Sequence, residues 1–182
     1  MKIVEIKILR GPNYWSVRRT KLIQMKLDLE EMEQKPTNII AGFRQRLEAM
    51  FPSMIEHRCS VGTRGGFFER VDEGTWMGHV IEHIALEMQT LAGMDTGFGR
   101  TRGTGKEGEY YVCISYMEED AGVYAAKAAV RVAQALTDAV DYDLADDIMK
   151  LREIREDTRF GPSTGCIVEK KKKRGIPYIR LN

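Results

Sequence analysis

The 182-residue sequence predicts an α+β fold in which a largely antiparallel sheet is packed by helices. Three observations support this prediction. Some segments alternate apolar and polar residues, as half-buried strands do, and others repeat apolar residues at helical spacing. The strand-like segments also come in neighbouring groups with helices interspersed, an order that favours an antiparallel sheet.

Three segments have the alternation that is typical of strands. Residues 2–9 (KIVEIKIL) place valine and isoleucine against glutamate and lysine, and residues 21–29 (KLIQMKLDL) repeat this pattern. Residues 11–15 (GPNYW) have the composition of a turn. The third predicted strand is residues 109–116 (EYYVCISY), which follow a glycine-rich segment.

Four segments have the apolar spacing or the alanine content of helices, namely residues 41–50, 75–91, 121–140 and 143–157. Pro52 ends the first of them. Thr75 is expected to cap the second helix, and Gly93 to end it. The glycines that precede the second helix predict a loop, and they are Gly62, Gly65 and Gly66.

The C-terminal segment differs from the rest of the chain. After the Gly-Pro break at 161–162, the sequence predicts a capped helix and then a strand at 177–181 (PYIRL). We therefore divide the chain into a domain at 1–160 and the start of a second α/β domain at 161–182. The basic run at 170–174 is interpreted as a solvated helix end, where cations suit the helix dipole.

Composition limits the classes of function. The net charge of +1 gives no overall field that would attract nucleic acid or a membrane surface, so neither is expected as a partner. No apolar run approaches the roughly 18 residues of a membrane span, and the N-terminal residues do not have the pattern of a signal peptide. The three scattered cysteines lack a CxxC pair, which predicts reduced thiols and a cytoplasmic protein.

The sequence HVIEH, residues 79–83, is a candidate zinc site. On a helix, His79, Glu82 and His83 lie on one face, so both imidazoles can reach one ion. Glu82 can then act as general base toward a water that zinc has acidified. HxxEH is the inverted form of the HExxH zinc-protease motif. The alternative is a polar stripe on a packed helix; the spacing and the narrow, apolar-flanked polar face favour zinc.

A catalytic zinc takes three protein ligands and keeps one open position, so a third ligand is needed. His57, the remaining histidine, is the preferred candidate. Cys59 and a carboxylate elsewhere in the chain are the alternatives. Glu87 lies one turn beyond His83, and three ligands along one straight helix cannot converge on one ion, so we interpret Glu87 as a supporting or surface residue.

The glycine-rich segment 96–109 matches neither a P-loop nor a dinucleotide-binding fingerprint. Arg100 and Arg102 in this segment are candidate substrate-binding residues, because a guanidinium binds a carboxylate through two hydrogen bonds. Arg58, which precedes the histidine-bearing helix, is expected at the same cleft. The alternative interpretation of the segment is a flexible hairpin connection.

Four blocks of the sequence resemble the N-terminal region of the cyanophycin synthetase family, and they are residues 8–19, 56–60, 74–105 and 151–182. The resemblance implies a much larger protein with an ATP-grasp module and a Mur-ligase-like module, which add aspartate and arginine to a polyaspartate chain that carries arginine side chains. Residues 163–182 match the entry into the ATP-grasp module. The resemblance also implies that this chain contains neither ATP site.

The resemblance further implies that the domain binds the cyanophycin polymer and works with the two ligase modules of a full-length protein, which is expected to be a homo-oligomer. Glu56, Asp95 and Glu109, beside Arg100 and Arg102, offer complements to the guanidinium and carboxylate of each polymer repeat. With zinc at HxxEH, the domain is expected to hydrolyse the polymer backbone and generate primers. The alternative is a non-catalytic tethering or assembly domain.

Overall fold

Four strands form one antiparallel sheet in the described part of the chain, which is residues 1–158 and 162–176 of a computed structural model. The strands are β1 (Lys2–Arg10), β2 (Lys21–Asp28), β3 (Gly99–Gly103) and β4 (Glu109–Ser115). Their order across the sheet is β1-β2-β4-β3, and each neighbouring pair is antiparallel. The predicted α+β class with an antiparallel sheet is therefore confirmed.

Helices pack against one face of this sheet and against one another. In the described residues they are α1 (Phe43–Met50), α2 (Gly66–Glu73), α3 (Met77–Leu91), α4 (Glu119–Asp138), α5 (Leu144–Thr158) and α6 (Pro162–Lys173). The helices predicted from apolar spacing are confirmed as α1, α3, α4 and α5, with ends that shift by two residues at most. The helix predicted after the Gly-Pro break is α6, whereas the strand predicted at 177–181 lies outside the described residues.

The main core lies between the sheet and the two long helices α3 and α4. On β2 the inward side chains Ile23, Met25 and Leu27 are fully buried, as the alternation of that segment predicts. Helix α4 contributes mostly alanines, which allow it to approach both α3 and the sheet closely. Helix α3 contacts β3, β4, α4 and α5, so it is buried on nearly all sides.

The outer face of the sheet is also partly covered, which the sequence alternation did not predict. Trp15, from the connection between β1 and β2, packs on Leu22 and Cys113 and is 3% exposed. The buried Gln24 side chain accepts hydrogen bonds of 2.7 Å from the Trp15 indole and the Tyr14 hydroxyl. Those bonds satisfy an amide that would otherwise be costly to bury.

Two elements of the structure were not predicted. Helix α2 begins at Gly66, directly after Gly62 and Gly65, which have positive φ and form the predicted turn. The glycine-rich segment is not merely a flexible connection, because residues 99–103 pair with β4 and form the edge strand β3. Glycine has a low strand propensity, so the glycine-rich composition of this segment did not predict the strand β3.

The expected helix cap at Thr75 was wrong. Trp76 occupies the N-cap position of α3 and has no capping side-chain hydrogen bond. The Thr75 hydroxyl instead lies 3.0 Å from Nδ1 of His79. The end of the helix agrees with the sequence, since Ala92 is the C-cap and Gly93 follows with a positive φ of 82°.

Among the described helices, none has the length and apolar character needed to cross a membrane.

Gly122 tests the close packing of α4 on the sheet. A Cβ at this position would lie 2.6 Å from Cβ of Tyr116 and 3.1 Å from Cγ1 of Ile23, and neither atom can move freely. Gly122→Ala is therefore expected to lower the free energy of unfolding by about 1–3 kcal/mol in urea denaturation, despite the better helix propensity of alanine. Gly103→Ala, where an added Cβ meets nothing within 4 Å, is the control. Equal effects of the two substitutions would contradict this packing.

Candidate metal centre

A cleft of about 780 Å³ opens beside α3. One wall is the polar face of α3, a second is the segment that follows α1, and a third is formed by the start of β3 and the residues before it. Its lining side chains are mostly polar and include Ser53, Glu56, His57, Arg58, Cys59, His79, Glu82, His83, Glu87, Asp95, Arg100 and Thr101. All three histidines of the chain therefore meet in one cleft.

Cys59, His79 and His83 form a convergent group of potential metal ligands. One donor atom from each residue lies within 4.8 Å of the donor atoms of the other two. The Cys59 Sγ atom is 3.2 Å from Nε2 of His79. Cys59 has a φ of 51°, a left-handed conformation that is unfavourable for a cysteine and that is found mostly where function or packing requires it.

His57, the preferred third ligand from the sequence, lines the same cleft, but both of its ring nitrogens contact other side chains. Its Nδ1 is 2.9 Å from Nδ1 of His83, and its Nε2 is 2.7 Å from Oε2 of Glu87. Glu87 is 3% exposed and also accepts a hydrogen bond from the Ser53 hydroxyl. Burial opposes ionisation of Glu87, but the hydrogen bonds from His57 and Ser53 outweigh it and hold the pKa of this carboxyl below its ordinary value.

Helix α2 supplies the apolar floor of the cluster. The Phe67 ring stacks on the His83 ring at a centroid distance of 4.0 Å and meets the His79 ring edge-on at 5.7 Å. Phe67 is fully buried, so it fixes both imidazoles from the side opposite the cleft. This contact could not be predicted from the sequence, because no helix was predicted directly after the glycine loop that precedes Phe67.

Glu82 lies against β3. Its Oε2 is 2.7 Å from the Thr101 hydroxyl, which is also 3.2 Å from the carbonyl oxygen of Gly78. A Cβ at Gly99 would lie 2.7 Å from the Glu82 carboxyl carbon, so the strand approaches this side chain where it has no side chain of its own. Burial raises the pKa of Glu82 to about 7, while Thr101 and Arg100 act in the opposite direction.

The two helix histidines are held in their neutral form. Burial lowers the pKa of His79 to about 4, with a smaller contribution from Arg70. Burial also lowers the pKa of His83 well below its ordinary value, and the neighbouring His79 and His57 act in the same direction. Neutral imidazole is the form that coordinates a metal, so both histidines are in the metal-binding form at neutral pH.

The three predicted arginines are divided between two surfaces. Arg58 and Arg100 line the cleft. Gly99 and Thr101 face Glu82, and strand alternation therefore directs Arg100 and Arg102 toward the outer face of the sheet. The Arg102 guanidinium lies 5.9 Å from the Trp15 ring, and Arg100 is 3.4 Å from the Trp15 carbonyl oxygen. Arg100 thus lies at the border between the cleft and the outer face, whereas Arg102 belongs to the outer face.

Fold and cleft together define a small α+β domain built around a candidate metal centre. Comparison with known proteins identifies its family: a family model described as "Cyanophycin synthase-like N-terminal domain" matches residues 24–138. The chain belongs to this family. The resemblance to the cyanophycin synthetase family is therefore confirmed at the level of the family.

Matches to individual relatives support the same family. Over 185 aligned residues that cover the whole chain, it is 50% identical to a cyanophycin synthetase of Geminocystis herdmanii, 51% identical to one of Trichormus variabilis and 50% identical to one of Synechocystis. The aligned region is 21%, 20% and 21% of these relatives, respectively. The chain thus spans about a fifth of the length of the curated relatives it matches.

The buried carboxyl of Glu82 predicts a pH dependence of stability for the metal-free protein. Its pKa is about 7 in the fold against 4.5 as the ordinary value, so the native state keeps a proton that the unfolded state releases. Stability from this group is full below pH 4.5 and falls as pH rises toward and through 7. Glu82→Gln removes this dependence, and its stability relative to the parent protein is expected to rise by roughly 2–3 kcal/mol between pH 5 and pH 8.

Urea denaturation of both proteins in chelator, at several pH values, measures this difference. Equal denaturant slopes in the two proteins are the control, since they show that both unfold from the same fold. A difference in unfolding free energy that stays constant from pH 5 to pH 8 would contradict a raised pKa of Glu82.

Proposed function

We propose that the chain is the N-terminal domain of a cyanophycin synthetase, and that it binds the arginine-substituted polyaspartate polymer and hydrolyses its backbone with the help of zinc. One observation supports this proposal above the others. Cys59, His79 and His83 converge beside Glu82, a buried carboxyl, in a cleft that is open to solvent.

The donor set fits zinc. Two neutral imidazoles and a thiol provide nitrogen and sulfur ligands of the kind found in three-ligand catalytic zinc sites. His79 and His83 each have one ring nitrogen bonded to a neighbour, Thr75 and His57 respectively, which is how ligating imidazoles are commonly oriented. We propose Cys59 as the third ligand in place of His57, because the ring nitrogens of His57 are already bonded to other side chains.

When bound, zinc supplies a Lewis acid that polarises a carbonyl and lowers the pKa of water. Glu82 acts as general base: it takes a proton from the attacking water as the water oxygen bonds to the carbonyl carbon. Glu82 then gives that proton to the amide nitrogen as the C–N bond breaks, which releases a carboxylate and an amine. In the metal-free chain, burial already raises the pKa of this carboxyl to about 7.

Thr101 supports Glu82 in both protonation states. Toward the ionised carboxylate, the Thr101 hydroxyl donates its hydrogen bond to Oε2 of Glu82. Toward the protonated acid, the same hydroxyl accepts from Glu82 and donates to the carbonyl oxygen of Gly78. Glu82 can therefore gain and lose a proton without moving, which reduces the reorganisation that catalysis would otherwise require.

The charges along the cleft suit this polymer. Each repeat would present a guanidinium and a free carboxylate, and the cleft offers both complements: Arg58 and Arg100 for the carboxylate, Glu56 and Asp95 for the guanidinium. Short pieces released by hydrolysis would serve as primers for the ligase modules of the full-length protein. Those modules are outside this chain, which spans about a fifth of its relatives.

A second candidate is a non-catalytic polymer-tethering domain. The observation that favours it is the outer face of the sheet, where Arg102 and the exposed Tyr14 lie near the buried Trp15 and apart from the cleft. Arginines beside exposed aromatic side chains can hold an extended chain that carries carboxylate and guanidinium groups without cleaving it. In that case the loss of the cleft residues would leave polymer binding intact.

Substitutions in the cleft separate the two candidates. The 182-residue chain is expected to bind about one zinc and to shorten purified cyanophycin, measured by metal analysis and by the size distribution of the polymer. Glu82→Gln keeps the metal but lowers the cleavage rate by roughly 10²–10⁴-fold, because the general base is lost. Cys59→Ser and His79→Ala lose zinc and cleavage together.

Exposed residues of the same types are the matched controls. Cys166→Ser and Glu153→Gln are expected to keep both zinc and cleavage, since each changes an exposed side chain away from the cleft. Polymer that stays intact during long incubation with the zinc-loaded chain would overturn the hydrolase and favour tethering. Zinc that is retained by Cys59→Ser but lost by a His57 variant would restore His57 as the third ligand.

A further inference from the structure

Four side chains form a continuous hydrogen-bonded line that ends at the metal centre. The Ser53 hydroxyl donates to Oε1 of Glu87, Oε2 of Glu87 contacts Nε2 of His57 at 2.7 Å, and Nδ1 of His57 contacts Nδ1 of His83 at 2.9 Å. His83 is 7% exposed and Glu87 is 3% exposed, so these partners cannot readily be replaced by water. The proposed hydrolysis step uses none of Ser53, Glu87 or His57.

The positions of the protons along this line follow from donor and acceptor chemistry. An ionised carboxylate only accepts hydrogen bonds, so Nε2 of a neutral His57 carries its proton and donates to Glu87. Nδ1 of His57 is then a bare acceptor. A nitrogen-to-nitrogen contact of 2.9 Å needs one proton between the two atoms, and with His57 in its neutral form Nδ1 of His83 donates it. His83 therefore has a bare Nε2.

We propose that His57, oriented by Glu87, is a positioning residue that fixes His83 as its Nδ1–H tautomer and so presents Nε2 of His83 to the metal. This inference rests on the proposed zinc site and goes beyond it, since it assigns a role to His57 and Glu87 and names the ligand atom of His83. His57 does not touch the substrate or the metal in this arrangement.

The neighbouring ligand shows the same arrangement. His79 has Nδ1 at 3.0 Å from the Thr75 hydroxyl and Nε2 at 3.2 Å from the Cys59 sulfur. The same tautomer fits these contacts, with the Cys59 thiol donating to a bare Nε2 and Nδ1–H donating to the Thr75 hydroxyl. Both helix histidines then offer Nε2, and the two supports come from different elements: a threonine before α3 for His79, and the line from Glu87 for His83.

A positioning role of His57 can be distinguished by measurement from a role as the third metal ligand. If His57 coordinated the metal through either nitrogen, it would give up its bond to His83 or its bond to Glu87, and a buried donor or acceptor would be left without a partner. As a positioning residue, His57 keeps both bonds when zinc binds. The two roles therefore differ at the ring nitrogens of His57: a third ligand binds zinc through Nδ1 or Nε2, whereas a positioning residue binds zinc through neither.

Nitrogen-15 NMR of histidine side chains in the 182-residue chain reads these protons directly, and with three histidines the spectrum is simple to assign. In the metal-free protein at neutral pH, we expect His83 protonated at Nδ1 and His57 at Nε2. On addition of zinc, Nε2 of His79 and of His83 should shift, while His57 keeps its Nε2 proton. A metal-free His83 protonated at Nε2, or a zinc-induced shift that shows either ring nitrogen of His57 bound to the metal, overturns the proposal.

Substitutions at Glu87 test whether this carboxylate, through His57, sets the tautomer of His83. Glu87→Gln keeps an acceptor for His57 and is expected to preserve both tautomers. Glu87→Leu removes the acceptor; His83 should then lose its single tautomer, and zinc affinity measured by competition with a chelator should fall roughly 10–100-fold. Glu153→Leu, at an exposed glutamate of α5, is the matched control and should leave tautomers and affinity unchanged. Unchanged tautomers in Glu87→Leu overturn the proposal.

The two proposals fail in different ways. The histidine tautomers of the metal-free protein require neither zinc nor polymer. NMR can therefore determine them even if the chain neither binds a metal nor cleaves the polymer. Cleavage with His83 protonated at Nε2 would leave the hydrolase intact and remove only the role of His57. If Glu87→Leu does not fold, the unsubstituted chain and Glu87→Gln still decide the tautomer.

Discussion

Burial of helix α3 is the constraint on which the rest of this structure depends. The helix contacts β3, β4, α4 and α5, yet one of its faces carries two histidines and two carboxyl groups. Polar groups in such a position are costly unless each has a partner. The structure meets this requirement with Thr101 for Glu82, Thr75 for His79, His57 for His83, and Ser53 with His57 for Glu87.

The same burial that makes these groups costly also makes them chemically useful. It raises the pKa of Glu82 toward neutrality and keeps both imidazoles uncharged, which are the states that a general base and two metal ligands need. The apolar side of α3 offsets the cost: Ile81, Ile84 and Met88 are fully buried in the main core. A helix with one apolar face and one polar face whose histidines and carboxyl groups have partners is thus both a structural element and the wall of a site.

Much of the fold could be predicted from the sequence, because apolar residues recur with a different period in helices and in strands. The HVIEH face and three of the helices follow from residue spacing, a fourth helix follows from its alanine content, and the antiparallel sheet follows from the order of the elements. The partners of that face could not be predicted in the same way. Phe67 and Thr101 come from an unpredicted helix and an unpredicted strand, and their contacts with α3 depend on tertiary packing. Cys59 was an alternative from the outset, but only the path of the chain brings its sulfur to His79.

Gly99 gives this arrangement a simple sequence marker. The room for the Glu82 carboxyl exists because the facing strand has only a hydrogen atom there, and a methyl group in its place would occupy the position of the carboxyl. An HxxEH motif by itself therefore does not define a working centre of this type. A homologous chain that keeps both histidines and the glutamate but carries a larger residue at the position of Gly99 would have to move its carboxyl away. Such a chain could retain the metal ligands and the fold as an inactive scaffold.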